Sequence, residues 1–139
     1  MEREMAKRIE DIEGIGPKTG AILRKNGVSS VDKLLKAGSD KKGRAKLAEQ
    51  TQLSESLILK CVNMADLFRI KGVASQYAEL LEGAGVDTVK ELKHRNAENL
   101  AAKMEEVNKA KRLVRKVPSE KVISSWIEQA KSLPATITH

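Results

Sequence analysis

The chain is poor in residues that form disulfides or stack on one another. Among 139 residues there is one cysteine, Cys61, so no intramolecular disulfide can form and a reducing compartment is the default. Only one Trp, one Tyr and one Phe are present. The apolar residues are therefore mostly Leu, Ile, Val and Ala, and this composition favours helices over sheets.

Long apolar segments are also absent. No stretch approaches the ~20 apolar residues that span a bilayer, and the polar N-terminal segment lacks the apolar core of a secretion signal. We therefore expect a soluble, cytoplasmic protein. Its length suffices for one hydrophobic core, or for two small cores packed together.

The residues expected of a catalytic centre are missing too. His94 and His139 lie far apart without a neighbouring ligand at metal-binding spacing, and Cys61 belongs to an apolar helical face, where a core role is expected. A nuclease or other hydrolase would need an acidic metal cluster, which we do not find in the sequence. We predict no enzymatic activity, no metal and no cofactor.

Positive charge is what the chain has in excess. The 26 Lys and Arg residues outnumber the 19 Asp and Glu residues, which leaves a formal net charge of +7. Nucleic acid is a natural partner for such a protein. Solubility alone explains the same charge, so this alternative stays open.

The most informative stretch runs from Ile12 to Leu23. Gly14 and Gly16 flank the apolar Ile15, a pattern typical of a tight reversal in which glycine adopts positive φ and the apolar residue is buried. Pro17 then opens a helix, at a position where its missing N–H is harmless. The free N–H groups of such a helix N-terminus suit an anionic oxygen, above all that of a phosphate.

The pattern of this stretch occurs twice. At a shift of 58 positions, glycine and apolar positions between 12 and 34 match those between 70 and 92, and a second block at 54–65 matches 119–130 at a shift of 65. The C-terminal half thus contains seven extra residues between its blocks, about two turns of helix. We predict half-repeats at 1–69 and 70–133, followed by a frayed tail at 134–139.

Helix signals follow the same order. Caps and apolar spacing predict helices at 5–11, 17–26, 41–50, 75–82 and 96–116, a further helix capped by Ser29 or Ser30, and others after Ser54, Thr88 and Ser119. In the last helix the predicted buried stripe is Val122, Trp126, Ala130 and Leu133. Tyr77 and Trp126 could stack on bases, but both occupy apolar helical positions, where core packing is the better interpretation.

These residues allow a comparison with known families. The run from Gly14 to Gly20 resembles the helix-hairpin-helix consensus, and the wider pattern, with Leu59–Leu67 and Arg69–Val73, resembles the bacterial family called domain of unknown function 4332, over roughly Ile9 to Leu133. The resemblance implies an all-α fold of two helix-hairpin-helix half-repeats packed into one compact helical body. In better understood relatives of the hairpin, the corresponding positions bind phosphates without reading sequence; here these are Gly14, Ile15, Gly16, Lys18 and Thr19.

The second hairpin departs from the consensus. Ala74 stands at the second glycine position and Gln76 stands where the first hairpin has Lys18. Because alanine resists positive φ and glutamine has no charge, the sequence argues against phosphate binding at 72–78. The alternative for both hairpins is that they are only tight connectors that bury Ile15 and Val73.

Two basic clusters are further candidates for contact with nucleic acid. They occupy comparable places in the two halves and are nearly free of acidic residues: Lys41, Lys42, Arg44 and Lys46, and then Lys109, Lys111, Arg112, Arg115 and Lys116. The alternative is that they are ordinary solvated helix faces.

From these observations we predict a non-catalytic, monomeric protein that binds the nucleic-acid backbone without sequence specificity, with duplex DNA as the expected form. The competing hypothesis is a protein–protein adaptor without a role in nucleic-acid binding. Whether the basic clusters and the first hairpin share one face separates the two hypotheses.

Overall fold

The computed structural model describes residues 8–12 and 14–138 of the protein. Within these residues the fold is all-helical and no strand is present, which confirms the predicted class. After a 3₁₀ turn at Ile9–Asp11 come α1 (Pro17–Lys25), α2 (Val31–Ala37), α3 (Lys41–Thr51), α4 (Glu55–Leu67), α5 (Ser75–Gly83), α6 (Val89–Leu92), α7 (Ala97–Lys111) and α8 (Glu120–Ser132). None of the helices in this described part is long and apolar enough to cross a membrane.

The chain forms two compact units. One comprises the described residues up to Ala65 together with 136–138, and the other comprises 66–135. The boundary lies in the last turn of α4, four residues before the predicted start of the second half-repeat at Ile70. The helix predicted at 5–11 falls largely outside the described residues, and its described end is the 3₁₀ turn.

In the first unit, residues at the helix termini set the ends of α1 and the start of α2, and the helices enclose an aliphatic core. Gly16 precedes α1 in an extended conformation, and after α1 Gly27 adopts a φ of +86° while the N–H of Val28 donates to the carbonyl of Leu23 over 2.8 Å. The hydroxyl of Ser30 accepts the N–H of Lys33, so of the two predicted candidates Ser30 caps α2. The side chains of Ile9, Ile12, Leu23, Leu34 and Ile58 are almost fully buried.

The C-terminal tail is part of this unit. The guanidinium of Arg44, only 5% exposed, donates to the carbonyls of Gly38 over 2.9 Å and of Thr138 over 2.7 Å. The N–H of Thr138 donates to the carbonyl of Ser39, and Ile137 is buried. Two predictions are therefore wrong: the tail is not frayed over 136–138, and Arg44 is not an exposed contact residue, because a buried guanidinium needs carbonyl acceptors inside the protein.

The second unit contains α5 to α8 around another aliphatic core. Here α7 packs against α5 and α8, and α8 also packs against α6. Asp66, 2% exposed, accepts the N–H of Val89 at the start of α6 over 2.8 Å and forms an ion pair with Arg69, also at 2.8 Å. Arg69 in turn donates to the carbonyl of Pro134 over 2.7 Å. A buried carboxylate therefore joins the start of α6 to the chain segment that follows α4.

Helix α7 ends earlier than the sequence predicts. Its last residue is Lys111, not Lys116, because Arg112 adopts the left-handed conformation with a φ of +50°. The Asn108 side chain then donates to the carbonyl of Val114 and accepts its N–H, each over 3.0 Å, which holds the following turn. Residues 113–118 are a loop.

The extra residues of the second half are only partly helical. Helix α7 has 15 residues where α3 has 11, and the six-residue loop 113–118 stands where the first half has the single residue Leu53 between Gln52 and Ser54. A shorter segment around α6 compensates for part of the difference. The expected two turns of additional helix are thus one turn of helix and a longer loop.

The buried face of α8 is also shifted from the predicted stripe. Its buried residues are Ile123, Trp126, Ile127 and Ala130. Val122 is 42% exposed, and Leu133 lies beyond the end of the helix and is half-buried. Trp126 is the central apolar residue of this face, with 3% exposure.

We expect Trp126→Ala to destabilise the protein by roughly 3–5 kcal/mol, because it removes a large buried ring and leaves a cavity. Val122→Ala on the same helix should change the free energy of unfolding by less than about 0.5 kcal/mol, since its side chain is exposed. Urea denaturation of both variants checks the pair. Equal, small effects would contradict the placement of Trp126 in the core.

Candidate nucleic-acid interface

The first hairpin is a tight reversal held by one positive-φ glycine. Gly14 has a φ of +95°, and the N–H of Ile15 donates to the carbonyl of Ile12 over 3.1 Å. Ile15 is buried, as predicted. Gly16 has a φ of −84° and a ψ of −177°, which are accessible to any residue. Only the first of the two glycines is therefore required by the backbone.

The reversal leaves the N-terminus of α1 open. Gly16 has no side chain that could cap the helix, and Pro17 occupies the first position. The N–H groups of Lys18 and Thr19 lie in the first turn, where helical geometry supplies no acceptor. Gly14, Gly16 and Lys18 are exposed and Thr19 is half-buried, and a Cβ on either glycine would meet no atom within 4 Å. An anionic oxygen can therefore approach this helix end closely.

An ion pair connects α1 to the 3₁₀ turn Ile9–Asp11. The guanidinium of Arg24 donates to both carboxylate oxygens of Glu10, over 2.8 and 2.6 Å. This hydrogen bonding lowers the pKa of the Glu10 carboxyl to about 2. The Glu10 side chain lies against Gly20, so close that a Cβ at that position would collide with it. A side chain at position 20 would therefore require the flexible Glu10 side chain to move.

The second hairpin has the same backbone but different side chains. Gly72 has a φ of +98°, the N–H of Val73 donates to the carbonyl of Ile70 over 3.1 Å, and Ala74 has a φ of −110° and a ψ of −175°. The dihedral angles of Ala74 are close to those of Gly16, so alanine is no conformational obstacle there. What distinguishes this hairpin is the neutral, exposed Gln76 in place of Lys18.

The residues of the first basic cluster differ in exposure and do not lie at one place in the structure. Lys41, Lys42 and Lys46 are exposed while Arg44 is buried. Lys41 and Arg44 line a cavity of about 250 Å³ that also contains Glu55. Lys46 instead lies on a larger depression described below, so the four residues do not form one patch.

A basic depression brings α2 and α3 together in the first unit. It has a volume of about 490 Å³ and contains Lys33 and Lys36 from α2 and Lys46 from α3, without an acidic residue in its lining. Lys33 and Lys36 are exposed and were not among the predicted contact residues. Their spacing of three on a short helix indicates one face, but only the packing of α2 against α3 places Lys46 beside them.

The second basic cluster is divided between a helix and a loop. Lys109 and Lys111 lie in the last turn of α7, Arg112 is its left-handed C-cap, and Arg115 and Lys116 belong to the loop 113–118. All five are exposed. The five cations therefore lie around the end of α7 and in the following loop, and not all on the long helix as expected.

The remaining candidates for chemistry or ligand binding are a metal site, Cys61 and the two aromatic residues Tyr77 and Trp126. Among the described residues no group of three His, Cys, Asp or Glu side chains could hold a metal ion. Cys61 is buried, which confirms its core role, and Trp126 is likewise in the core. Tyr77 is only half-buried, so the core interpretation holds for it in part.

A comparison with known proteins identifies one family. The sequence profile described as Domain of unknown function (DUF4332) matches residues 13–133. No curated protein and no solved structure is significantly similar to the chain.

The two glycines of the first hairpin should differ in their response to substitution. Gly14→Ala places a Cβ at positive φ and should cost roughly 1–3 kcal/mol. Gly16→Ala occupies an ordinary conformation with open space, as Ala74 does, and should be neutral or stabilise by up to about 1 kcal/mol. Urea denaturation measures both, and equal losses would contradict the assignment of the reversal to Gly14.

The ion pair between Glu10 and Arg24 predicts a pH dependence. Because the pKa of Glu10 is about 2 in the folded protein and 4.5 in the reference state, the pair stabilises the protein above about pH 4.5 and loses this effect as the pH falls towards 2. The difference in Tm between the wild type and Glu10→Gln should therefore shrink over this range. Glu49→Gln, at an exposed position on α3, is the control and should show no such difference; a pH-independent gap for Glu10→Gln would contradict the prediction.

Proposed function

We propose that this protein, which belongs to the Domain of unknown function (DUF4332) family, binds nucleic acid through the phosphate backbone and has no catalytic activity. The expected form is duplex DNA. The open N-terminus of α1 after Gly14, with Lys18 beside it, is the observation on which the proposal depends.

The physical argument begins with the free N–H groups of this helix end. Their partial positive charge attracts an anion, and the exposed Gly14 and Gly16 let a phosphate approach the backbone without meeting a side chain. The ammonium group of Lys18 adds a full charge at the same place. We infer that one phosphate oxygen accepts hydrogen bonds from the first turn of α1.

The basic depression supports the proposal with additional charge in the same unit. Asn26 and Gly27 line it, so it begins at the C-terminal end of α1, about 14 Å along the helix axis from the hairpin. Lys33, Lys36 and Lys46 can neutralise further phosphates there. We therefore propose these three lysines in place of Arg44 as the charged contacts of the first unit.

No feature of this site favours a particular base sequence. Backbone N–H groups and lysine side chains contact phosphates, which are the same at every step of the duplex, whereas sequence is read from base edges in the grooves. The proposed binding is therefore sequence-independent, with an affinity in the micromolar range.

The test is duplex binding at several salt concentrations, because phosphate contacts release condensed counterions. For the wild type we expect a slope of log affinity against log salt that corresponds to roughly three to six contacts, at about −0.9 each. Lys18→Glu should weaken binding to every sequence alike and reduce the slope by about one. Lys33→Glu combined with Lys36→Glu should reduce it by about two.

The second hairpin provides the matched control. Gln76→Glu introduces a negative charge at the position that corresponds to Lys18, and it should affect duplex binding far less. If the wild type binds neither duplex nor single strand at about 50 mM salt, where the electrostatic contribution is large, the proposal is wrong and the adaptor hypothesis replaces it.

A further inference from the structure

The second unit contains a pocket beside its hairpin. Its volume is about 320 Å³, and its walls include Gly72 of the hairpin, Tyr77 of α5, Val122 and Trp126 of α8, and Lys116 and Pro118 of the preceding loop. The rings of Tyr77 and Trp126 are 5.7 Å apart and inclined at 55°. The walls are therefore mainly aromatic and aliphatic, with one cation.

The indole N–H of Trp126 donates no hydrogen bond to any of the described residues. The residue as a whole is 97% buried, but Nε1 is not among the described buried side-chain atoms that lack a partner, which are limited to Asn63 Oδ1. A Cβ at Gly72 would lie 3.1 Å from Nε1, so the N–H edge of the ring faces the glycine wall of the pocket. Nε1 therefore keeps access to the pocket, where an acceptor of a ligand can reach it.

The residues of the first unit that correspond to the walls of this pocket are of different types. At the shifts that relate the two halves, Tyr77 corresponds to Thr19, Trp126 to Cys61 and Val122 to Leu57. The loop 113–118, which supplies one wall, corresponds to the single residue Leu53. The second unit thus has two rings and a longer loop beside the hairpin that has Gln76 in place of Lys18.

Charge lies at the edge of the pocket. Lys116 lines it, and the neighbouring Arg115 is exposed on the same loop. No acidic residue occurs between Glu106 and Glu120. A ligand that suits the site therefore combines a flat, largely apolar body, a hydrogen-bond acceptor at its edge and a negative charge outside the pocket.

We propose that this pocket receives an unpaired nucleotide, with the base against Tyr77, an acceptor of the base edge on the Trp126 N–H, and the phosphate beside Lys116. Every base has an apolar face and an acceptor edge, so the preference is for an unpaired base and not for one sequence. If the nucleotide is part of a nucleic-acid strand, this inference rests on the proposed function. A free nucleotide would offer the pocket the same chemical groups. An aliphatic peptide side chain would leave the indole N–H without an acceptor.

The experiment uses the only tryptophan of the chain as its reporter. The fluorescence of the full-length protein is titrated with adenosine monophosphate, with a duplex that contains one unpaired adenine, with the same duplex containing an abasic residue at that point, and with the fully paired duplex. We expect a saturable change with the first two ligands only. The duplex with the unpaired adenine should also bind about five- to 100-fold more tightly than the abasic one.

Two variants of α8 separate the pocket from general charge effects. Val122→Glu places a carboxylate at the pocket, and because Val122 is 42% exposed the protein should still fold, which circular dichroism and thermal unfolding check. It should abolish the preference for the unpaired adenine. Ser124→Glu adds the same charge at an exposed position that does not line the pocket and should preserve the preference.

The outcomes distinguish this inference from the proposed function. Equal affinities and no fluorescence change with any nucleotide would overturn the pocket assignment, while salt-dependent binding of the paired duplex would keep the proposed function. A response to adenosine monophosphate without duplex binding would support the pocket and overturn the proposed function. A response to an acidic peptide with aliphatic side chains, but to no nucleotide, would overturn the pocket assignment in favour of a protein partner.

Discussion

Two glycines in the positive-φ conformation form the hairpins of the two units. At Gly14 and Gly72 the backbone adopts positive φ, which turns the chain so that the next residue, Ile15 or Val73, is buried while its N–H closes the turn on the carbonyl three residues earlier. An L side chain resists this conformation, so the reversal depends on glycine. The direction of the following helix, α1 or α5, follows from the reversal.

The same backbone has different chemical surroundings in the two units. In the first, an uncapped helix start, Lys18 and exposed glycines leave space and positive charge for an anion. In the second, Gln76 removes the charge, while the reciprocal hydrogen bonds between the Gln129 side chain and the peptide groups of Lys71 hold the turn against α8. The aromatic pocket lies beside that turn. The two hairpins are therefore candidates for two different parts of a nucleotide, the phosphate and the base.

Two buried charged residues show why charge alone is a poor guide to a binding surface. Arg44 belongs to a basic run, but its guanidinium binds the carbonyls of Gly38 and Thr138 and so orders the C-terminal tail. Asp66 accepts the first N–H of α6 and pairs with Arg69. In both cases a partner that is distant in the sequence, Thr138 for Arg44 and Val89 for Asp66, helps to decide that the charge is structural and not available to a ligand.

The amino-acid sequence by itself determined the local features: the all-helical class, the caps at Thr88 and Ser119, the turns at Gly14 and Gly72, and the core role of Trp126. Each depends on neighbouring residues or on helical periodicity, which a sequence displays directly. The tertiary structure alone decided that Arg44 is buried, that Lys46 joins Lys33 and Lys36, that α7 ends at Lys111, and that Tyr77 and Trp126 enclose a pocket with the loop 113–118. These features depend on contacts between residues far apart in the chain, and on the left-handed conformation of Arg112, which local propensity disfavours.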